Sequence, residues 1–308
     1  MSRRIPLLDL SHYSNGTAQE RDSFVKAWGD GLREFGFVSI INHGVDADLI
    51  ARTYADAARL FALSREVKDK YEVPNGGGQR GYTAFGKEHA KNRKVGDLKE
   101  FWHVGNDKYG GNVWPTELET FKANTLGLFK ALEGAAEVML HALSDYFRLP
   151  RETFAGIAHD GNSILRIIHY PPLKDQFIPG GVRAAEHEDI NLITLLCEST
   201  ASGLEIFTRQ KEWLAVDALK GQIVVDSGDM LSRMTNEVIP STTHRVVNPP
   251  DNRDDVERYS MPFFVHPRPE CSLAITDAFV TPENPKRYPD ITADGFLQQR
   301  LREIGLIK

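Results

Sequence analysis

The character of the chain changes at Ser163-Ile164-Leu165-Arg166-Ile167-Ile168-His169-Tyr170. Its β-branched and aromatic residues predict a strand, and similar short segments follow at 190–197, 203–208, 212–217, 222–226, 243–248 and 257–265. Turn residues separate these segments, with no long helix between them. Parallel strands need crossovers of a dozen or more residues, usually helical. The spacing therefore argues against a βαβ sheet and for an antiparallel sandwich or barrel.

Upstream of Ser163 the chain reads mainly as helix. Thr17-Ala18-Gln19-Glu20 has the form of a capping box, followed by Phe24, Trp28, Leu32 and Phe35 at near-helical spacing up to Gly36. Phe37 to Ile41 reads as a buried strand stopped by Asn42-His43-Gly44. A second helix is expected from about Asp46 to Leu63, and Ser64 starts a short third. A Gly-rich loop, Asn75 to Gly81, has no Gly-Lys-Ser/Thr and so does not fit a phosphate cradle. It reads as a flexible loop near an entrance. The segment after it has no clear assignment. Pro115 opens a long helical pattern that Pro150 ends, and Thr292 to Ile304 reads as a last helix with Leu297, Leu301 and Ile304 on one side. One domain is expected: a helical N-terminal layer on a β-barrel, closed by a C-terminal helix.

Composition bounds the function. The 308 residues are 41% hydrophobic and 26% charged, as in ordinary globular proteins. A net charge of −6 gives no electrostatic reason to expect nucleic acid or an anionic membrane as partner. No apolar run is long enough to span a bilayer, and the first residues lack the apolar core of a secretory signal. Cys197 and Cys271 have no metal-type spacing, so a reducing cytoplasm is the expected compartment. A small-molecule substrate and a monomer or weak dimer are the expected partnerships.

Two motifs carry chemistry. His187-Glu188-Asp189 precedes an apolar strand, and His244 opens another. In extended chain, residues i and i+2 point the same way, so His187 and Asp189 aim together while Glu188 points away. With His244 they make two imidazoles and one carboxylate, the facial set that leaves open positions on iron(II). Thiolates that would suggest structural zinc are absent nearby. Taken alone, the pattern reads equally as a loop hydrogen bond plus a buried structural histidine. The second motif shifts the balance. Arg258-Tyr259-Ser260 begins the last strand, and by the same alternation Arg258 and Ser260 share a face. A guanidinium with a neighbouring hydroxyl suits the distal carboxylate of a 2-oxo acid, to which Tyr170 adds a phenolic donor. An isolated Arg-x-Ser would read as a solvated surface pair; after His-x-Asp and His244 it reads as an anchor.

At this point the sequence resembles the isopenicillin N synthase-like branch of the Fe(II)/2-oxoglutarate-dependent oxygenases. The resemblance runs through Ile5-Pro6-Leu7-Leu8-Asp9-Leu10, Gly36-Phe37, Asn42-His43-Gly44-Val45, Arg80-Gly81-Tyr82 and Asp97-Leu98-Lys99-Glu100. It continues through Tyr170-Pro171, His187-Glu188-Asp189, Gly203-Leu204-Glu205, Gly228-Asp229, Thr235-Asn236, His244-Arg245-Val246 and Arg258-Tyr259-Ser260. It implies a double-stranded β-helix (jelly-roll) core over 161–270, a mainly helical region over 1–160 and a closing segment over 271–308. It further implies iron(II), 2-oxoglutarate and dioxygen as cofactor and co-substrates. The implied iron ligands are His187, Asp189 and His244, and the implied 2-oxoglutarate contacts are Arg258, Ser260 and Tyr170. One departure is Ile168, where plant members carry asparagine; the basic position two residues earlier is kept as Arg166, to serve the co-substrate or to pair with a neighbouring acid.

Substrate contacts are expected at Tyr82, Phe85, Glu88, Phe264 and His266, with Phe101 and His103 as further candidates. Phe101 and Trp102 also read as core, and Glu88 is placed to meet a cationic substrate. His169 and His266 are not expected to bind metal, because a fourth protein ligand would fill an open position. The function implied is a dioxygenase that oxidises a small molecule, such as an amino acid or other metabolite, with decarboxylation of 2-oxoglutarate to succinate. The alternatives are an oxidase like isopenicillin N synthase or aminocyclopropane-carboxylate oxidase that needs no 2-oxoglutarate, and a catalytically silent jelly-roll binding protein.

Overall fold

All the strands expected after Ser163 are present in the computed structural model, which describes residues 4–74, 78–88, 95–173, 178–217, 219–249 and 256–303. The strands are β1 (Leu7–Asp9), β2 (Phe37–Ile41), β3 (Gly81–Thr83), β4 (Glu100–Gly105), β5 (Ile164–Tyr170), β6 (Ala184–His187) and β7 (Ile193–Cys197), followed by β8 (Leu204–Phe207), β9 (Trp213–Ala215), β10 (Ile223–Ser227), β11 (His244–Val246), β12 (Arg258–Ser260) and β13 (Pro262–Val265). The helices are α1 (Ser11–Ser14), α2 (Ala18–Phe35), α3 (Ala47–Phe61), α4 (Arg65–Asp69), α5 (Phe121–Tyr146), α6 (Glu152–Ala158), α7 (Asp229–Met234) and α8 (Ala293–Glu303).

The strands form two sheets. The larger runs β1-β2-β10-β7-β13-β5-β4-β3, with β12 also on β5, and the smaller runs β6-β11-β8-β9. Every pairing is antiparallel except β1 with β2. The two sheets face each other as a jelly roll whose barrel is not closed by hydrogen bonds. Its larger sheet is backed by α2, α3 and α5.

The first half is less purely helical than its sequence suggests. It contributes β1 and β2 to one edge of the larger sheet and β3 and β4 to the other. In β4 every residue is buried, so neither face shows the polar alternation that marks a half-exposed strand. The helix expected from Pro115 begins only at Phe121, after a run of turns. The segment expected as one strand over 257–265 divides at Met261, because β12 pairs only with β5 while β13 lies between β5 and β7. Residues 75–77 of the Gly-rich loop and Ile304 lie outside the described residues. Among the described residues no helix is long and apolar enough to cross a membrane.

Helix α2 illustrates how the sequence sets the layer. Thr17 and Glu20 cap its start reciprocally, and Phe24, Trp28, Leu32 and Phe35 are all buried. Gly36 ends it in the left-handed conformation (φ 67°), where a Cβ would lie 2.2 Å from Oγ1 of Thr242. The chain then enters β2, and the ring of Phe37 meets that of His244 edge-on at 5.5 Å. Gly36→Ala is therefore expected to destabilise the protein by at least about 1–2 kcal/mol from backbone strain alone, read as a lower urea midpoint.

Candidate metal and co-substrate site

The pairing of β6 with β11 sets His187 directly opposite His244. Their rings are 4.3 Å apart between centroids. Asp189 lies beyond the end of β6, so it reaches the same point from the segment after the strand and not from within the strand the i, i+2 argument assumed. One ligand atom from each of His187, Asp189 and His244 lies within 4.8 Å of the others. Nε2 of His187 and Nε2 of His244 stand 3.8 and 3.7 Å from Oδ1 of Asp189. Three donors converging on one point, with His187 a third exposed on its side chain, can hold a divalent ion and leave it accessible.

Each donor is aimed by a neighbour. Nδ1 of His187 donates to the carbonyl of Ala185 at 2.7 Å and Nδ1 of His244 to that of Thr242 at 3.1 Å, which leaves both Nε2 lone pairs free. Oδ2 of Asp189 accepts the hydroxyl of Thr194, leaving Oδ1 for a metal. Asn191 donates to Thr194 at 3.0 Å, completing a buried chain. The backbone N–H of Asp229 donates to the carbonyl of Asp189 at 2.7 Å. Gly228 makes this approach possible, since a Cβ there would lie 2.4 Å from Asn191 and 2.9 Å from Asp189.

Behind the triad is a small chamber of about 60 Å³, walled by both sheets. Arg258 and Tyr170 are cross-strand partners, as are Ser260 and Ile168, and all four line it. Arg258 is 1% exposed and its guanidinium lies 4.9 Å from the centre of the Tyr170 ring. Its Nε donates to the carbonyl of Ala201 at 3.0 Å, but Nη1 has no partner. Among the described residues no carboxylate lies within ion-pair range of it. A buried cation left so is expensive unless an anion completes it. Ile168, the departure noted above, forms an apolar part of this wall.

In front of the triad a larger cavity of about 620 Å³ opens, large enough for a small metabolite. His187 and Asp189 line both spaces, so a metal held by the triad would lie at their junction. Glu88, His103, Phe264 and His266 line the larger cavity; Tyr82, Phe85 and Phe101 do not. Tyr82 instead turns its hydroxyl to Glu100, beside Lys68. Phe85 lies just past β3. Phe101 is buried 4.2 Å beneath the Arg166 guanidinium. Glu88 is not free to meet a cation: Arg166 holds both its oxygens at 3.0 Å and Lys99 one of them at 2.8 Å, which keeps its carboxyl well below the usual range despite burial. Arg166 thus pairs with an acid, and its Nε also donates to Nε2 of His103 at 2.5 Å. His169 stacks between Phe61 and Tyr259 and meets Glu100 and Glu257, away from the triad.

Comparison with known proteins agrees with this geometry. The profile of the 2OG-Fe(II) oxygenase superfamily matches residues 161–267, and that of the N-terminal region of non-haem dioxygenases of morphine synthesis matches 5–117. The 2-oxoglutarate-dependent dioxygenase ecdK of Aspergillus rugulosus is 31% identical over 324 residues, covering 95% of this chain and 97% of the relative. The chain belongs to the Fe(II)/2-oxoglutarate-dependent oxygenase family. A solved Caulobacter crescentus protein grouped with the 2OG-Fe(II) oxygenases superposes with a TM-score of 0.87 at 40% identity, covering 99% of this chain and all of the other. A full-length Neurospora crassa protein, crystallised in complex with alpha-KG and thymine, gives 0.86 at 29% identity, with 97% and 96% covered. The chain is accordingly an oxidoreductase using iron(II), 2-oxoglutarate and dioxygen. Its residues fit that set: two imidazoles and a carboxylate with no thiolate, and a buried guanidinium lacking an anion.

For an oxygenase of this family, two further groups were given no role from sequence. Thr194 aims the aspartate, and Asp226 faces the inner chamber. Burial and the nearby Asp189 charge push the Asp226 carboxyl well above the ordinary range. An acid closing the apolar run Ile223-Val224-Val225 was the available signal for Asp226. Thr194→Val, which keeps shape but removes the hydroxyl, is expected to weaken iron(II) affinity roughly 10–100-fold in chelator competition. The metal-free enzyme should also be acid-sensitive. Burial depresses His244 and His266 to about 4, whereas unfolded histidine titrates near 6.5. The unfolded chain therefore takes up protons first, and stability falls as pH drops from about 6.5 to 4. The expected loss is on the order of 1–2 kcal/mol per histidine at pH 5, and His244→Gln should flatten the slope of urea midpoint against pH.

Proposed function

We propose that His187, Asp189 and His244 hold the iron and that Arg258, Ser260 and Tyr170 receive the distal carboxylate of 2-oxoglutarate in the inner chamber. The substrate is a small molecule seated in the 620 Å³ cavity. The observation that carries this reading is the Arg258 guanidinium, enclosed, unpaired at Nη1 and one chamber away from the convergent triad. The bound iron and 2-oxoglutarate supply the oxidising power, with decarboxylation to succinate and carbon dioxide and oxidation of a substrate C–H bond. The protein's own part is positional. Arg258 and Ser260 fix the far end of the co-substrate, Thr194 keeps Oδ1 of Asp189 turned to the metal, and the carbonyls of Ala185 and Thr242 hold the imidazole tautomers. The outer wall, which includes His187 and Asp189, would hold the substrate beside the metal.

The run of motifs from Ile5 to Ser260 supports placement in the isopenicillin N synthase-like branch. An oxidase that uses Arg258 for its substrate's own carboxylate has less support, since curated relatives carry 2-oxoglutarate in their names. Two free cysteines, Cys197 and Cys271, support a reducing compartment such as the cytoplasm.

Anaerobic titration of the iron(II)-loaded protein with 2-oxoglutarate tests the reading. A weak visible charge-transfer band should grow in, and Arg258→Ala should raise the half-saturation concentration roughly 30- to 1,000-fold, as expected when one partner of a buried charge pair is removed. No band, together with no succinate formed in air over a panel of amino acids and phenolics, would favour the oxidase that needs no 2-oxoglutarate.

A further inference from the structure

The chain segment that carries the carboxylate anchor also carries the outer wall. Arg258, Ser260, Pro262 and Phe264 line the inner chamber, and Phe264 and His266 line the outer cavity, so alternate residues turn inward from one end of the site to the other. His266 is the last of them. It is 7% exposed, its Nδ1 is enclosed without a partner, and among the described residues no protein group hydrogen-bonds either ring nitrogen. Its backbone N–H is held by the hydroxyl of Ser163 at 3.2 Å, which fixes the main chain and leaves the ring uncommitted. Buried polar side chains nearly always find a partner; this one faces a cavity beside the triad.

Outside the triad, the acids and bases that line the cavity are in ion pairs, Glu186 with Arg245 and Glu237 with Arg287 among them, except the solvent-exposed Glu188, which accepts the Thr243 hydroxyl. Glu88 and Asp97 are held by Lys99 and Arg166, and Asp229 and Glu303 by Arg300. The uncommitted polar side chains His266 and Ser232 are uncharged, and Ile164, Phe264, Leu297 and Leu301 complete the wall. A carboxylate bound against His266 would lose water and find no free base, and the acid outside an ion pair that an ammonium could meet, Glu188, is solvent-exposed and already hydrogen-bonded. A neutral imidazole offers one donor and one acceptor.

We infer that His266 is the hydrogen-bonding contact for the substrate, and that the group it meets is an uncharged amide, lactam or hydroxyl on a largely apolar body. This rests on the outer cavity being the substrate site of a 2-oxoglutarate enzyme. The cationic substrate suggested by Glu88 in the sequence is replaced by a neutral one.

The test uses the full chain loaded anaerobically with iron(II) and 2-oxoglutarate, and ligand-observed NMR with matched fragments. Thymine, 2-piperidone and 4-methylphenol are the uncharged probes; 4-methylbenzoate and 4-methylbenzylamine are the charged ones. Uncharged probes should bind and charged ones should not. His266→Leu should weaken binding about tenfold, the equivalent of one hydrogen bond, and His266→Gln should recover most of it. Neither variant should change the 2-oxoglutarate titration. His266→Leu should not lower the melting temperature, because it removes an unpaired buried polar group; a purely structural histidine would behave the opposite way. Preferential binding of the charged probes, no binding of any uncharged probe, or unaltered affinity in His266→Leu overturns the inference. Failure of the parent protein to titrate with 2-oxoglutarate instead overturns the reading of the site on which it rests.

Discussion

The backbone register that places His187 against His244 is the constraint on which the site depends. Both residues lie in the smaller sheet, and β11 is held on its other side by β8, so the pair cannot drift without breaking two ladders. The third donor is fixed from the opposite direction. Asp189 is gripped by Thr194 of the larger sheet and by the backbone N–H that opens α7. A metal bound by all three would bridge the two sheets, so its binding energy would also resist their separation.

Charge is partitioned with equal care. Glu88, Asp97, Lys99 and Arg166 form a buried set of two acids and two bases, and Lys99 and Arg166 face both chambers. Asp97 also accepts the backbone N–H of Ala185, on the strand that carries His187. Such buried pairs add little net stability, but removing one member leaves a stranded charge. The set therefore acts as a fixed, electrically balanced partition. Arg258 has no such balance, and the contrast between it and Arg166 separates a guanidinium serving the fold from one available to a ligand.

Much of this was legible in the residues. The Arg-x-Ser pair is a local pattern on a strand, where a period of two predicts direction, and the structure brings the triad together although Asp189 lies beyond its strand. The capping box at Thr17 and Glu20 is equally local. What sequence hid depends on partners far along the chain. Strand β6 reads Ala-Ala-Glu-His, with no β-branched residue, and exists because β11 pairs with it. That Arg166 would pair with an acid was one of its two readings, but which acid was invisible because Glu88 lies 78 positions away. Tyr82 was expected at the substrate, but its place opposite Trp102 turns its hydroxyl to Glu100. Which wall α8 would cover could not be read from its periodicity alone.

The alternation from Arg258 to His266 also bears on how such an enzyme can diversify. On the assignment proposed above, the co-substrate and substrate ends share one stretch of backbone, and parity along it decides which side chains turn inward. Inserting or deleting a single residue between them would turn one end outward relative to the other, so length change there is closed as an evolutionary route. Exchange of the side chain at 266 leaves the phase of the strand intact, and new substrate preferences can arise there without disturbing the chemistry at the far end.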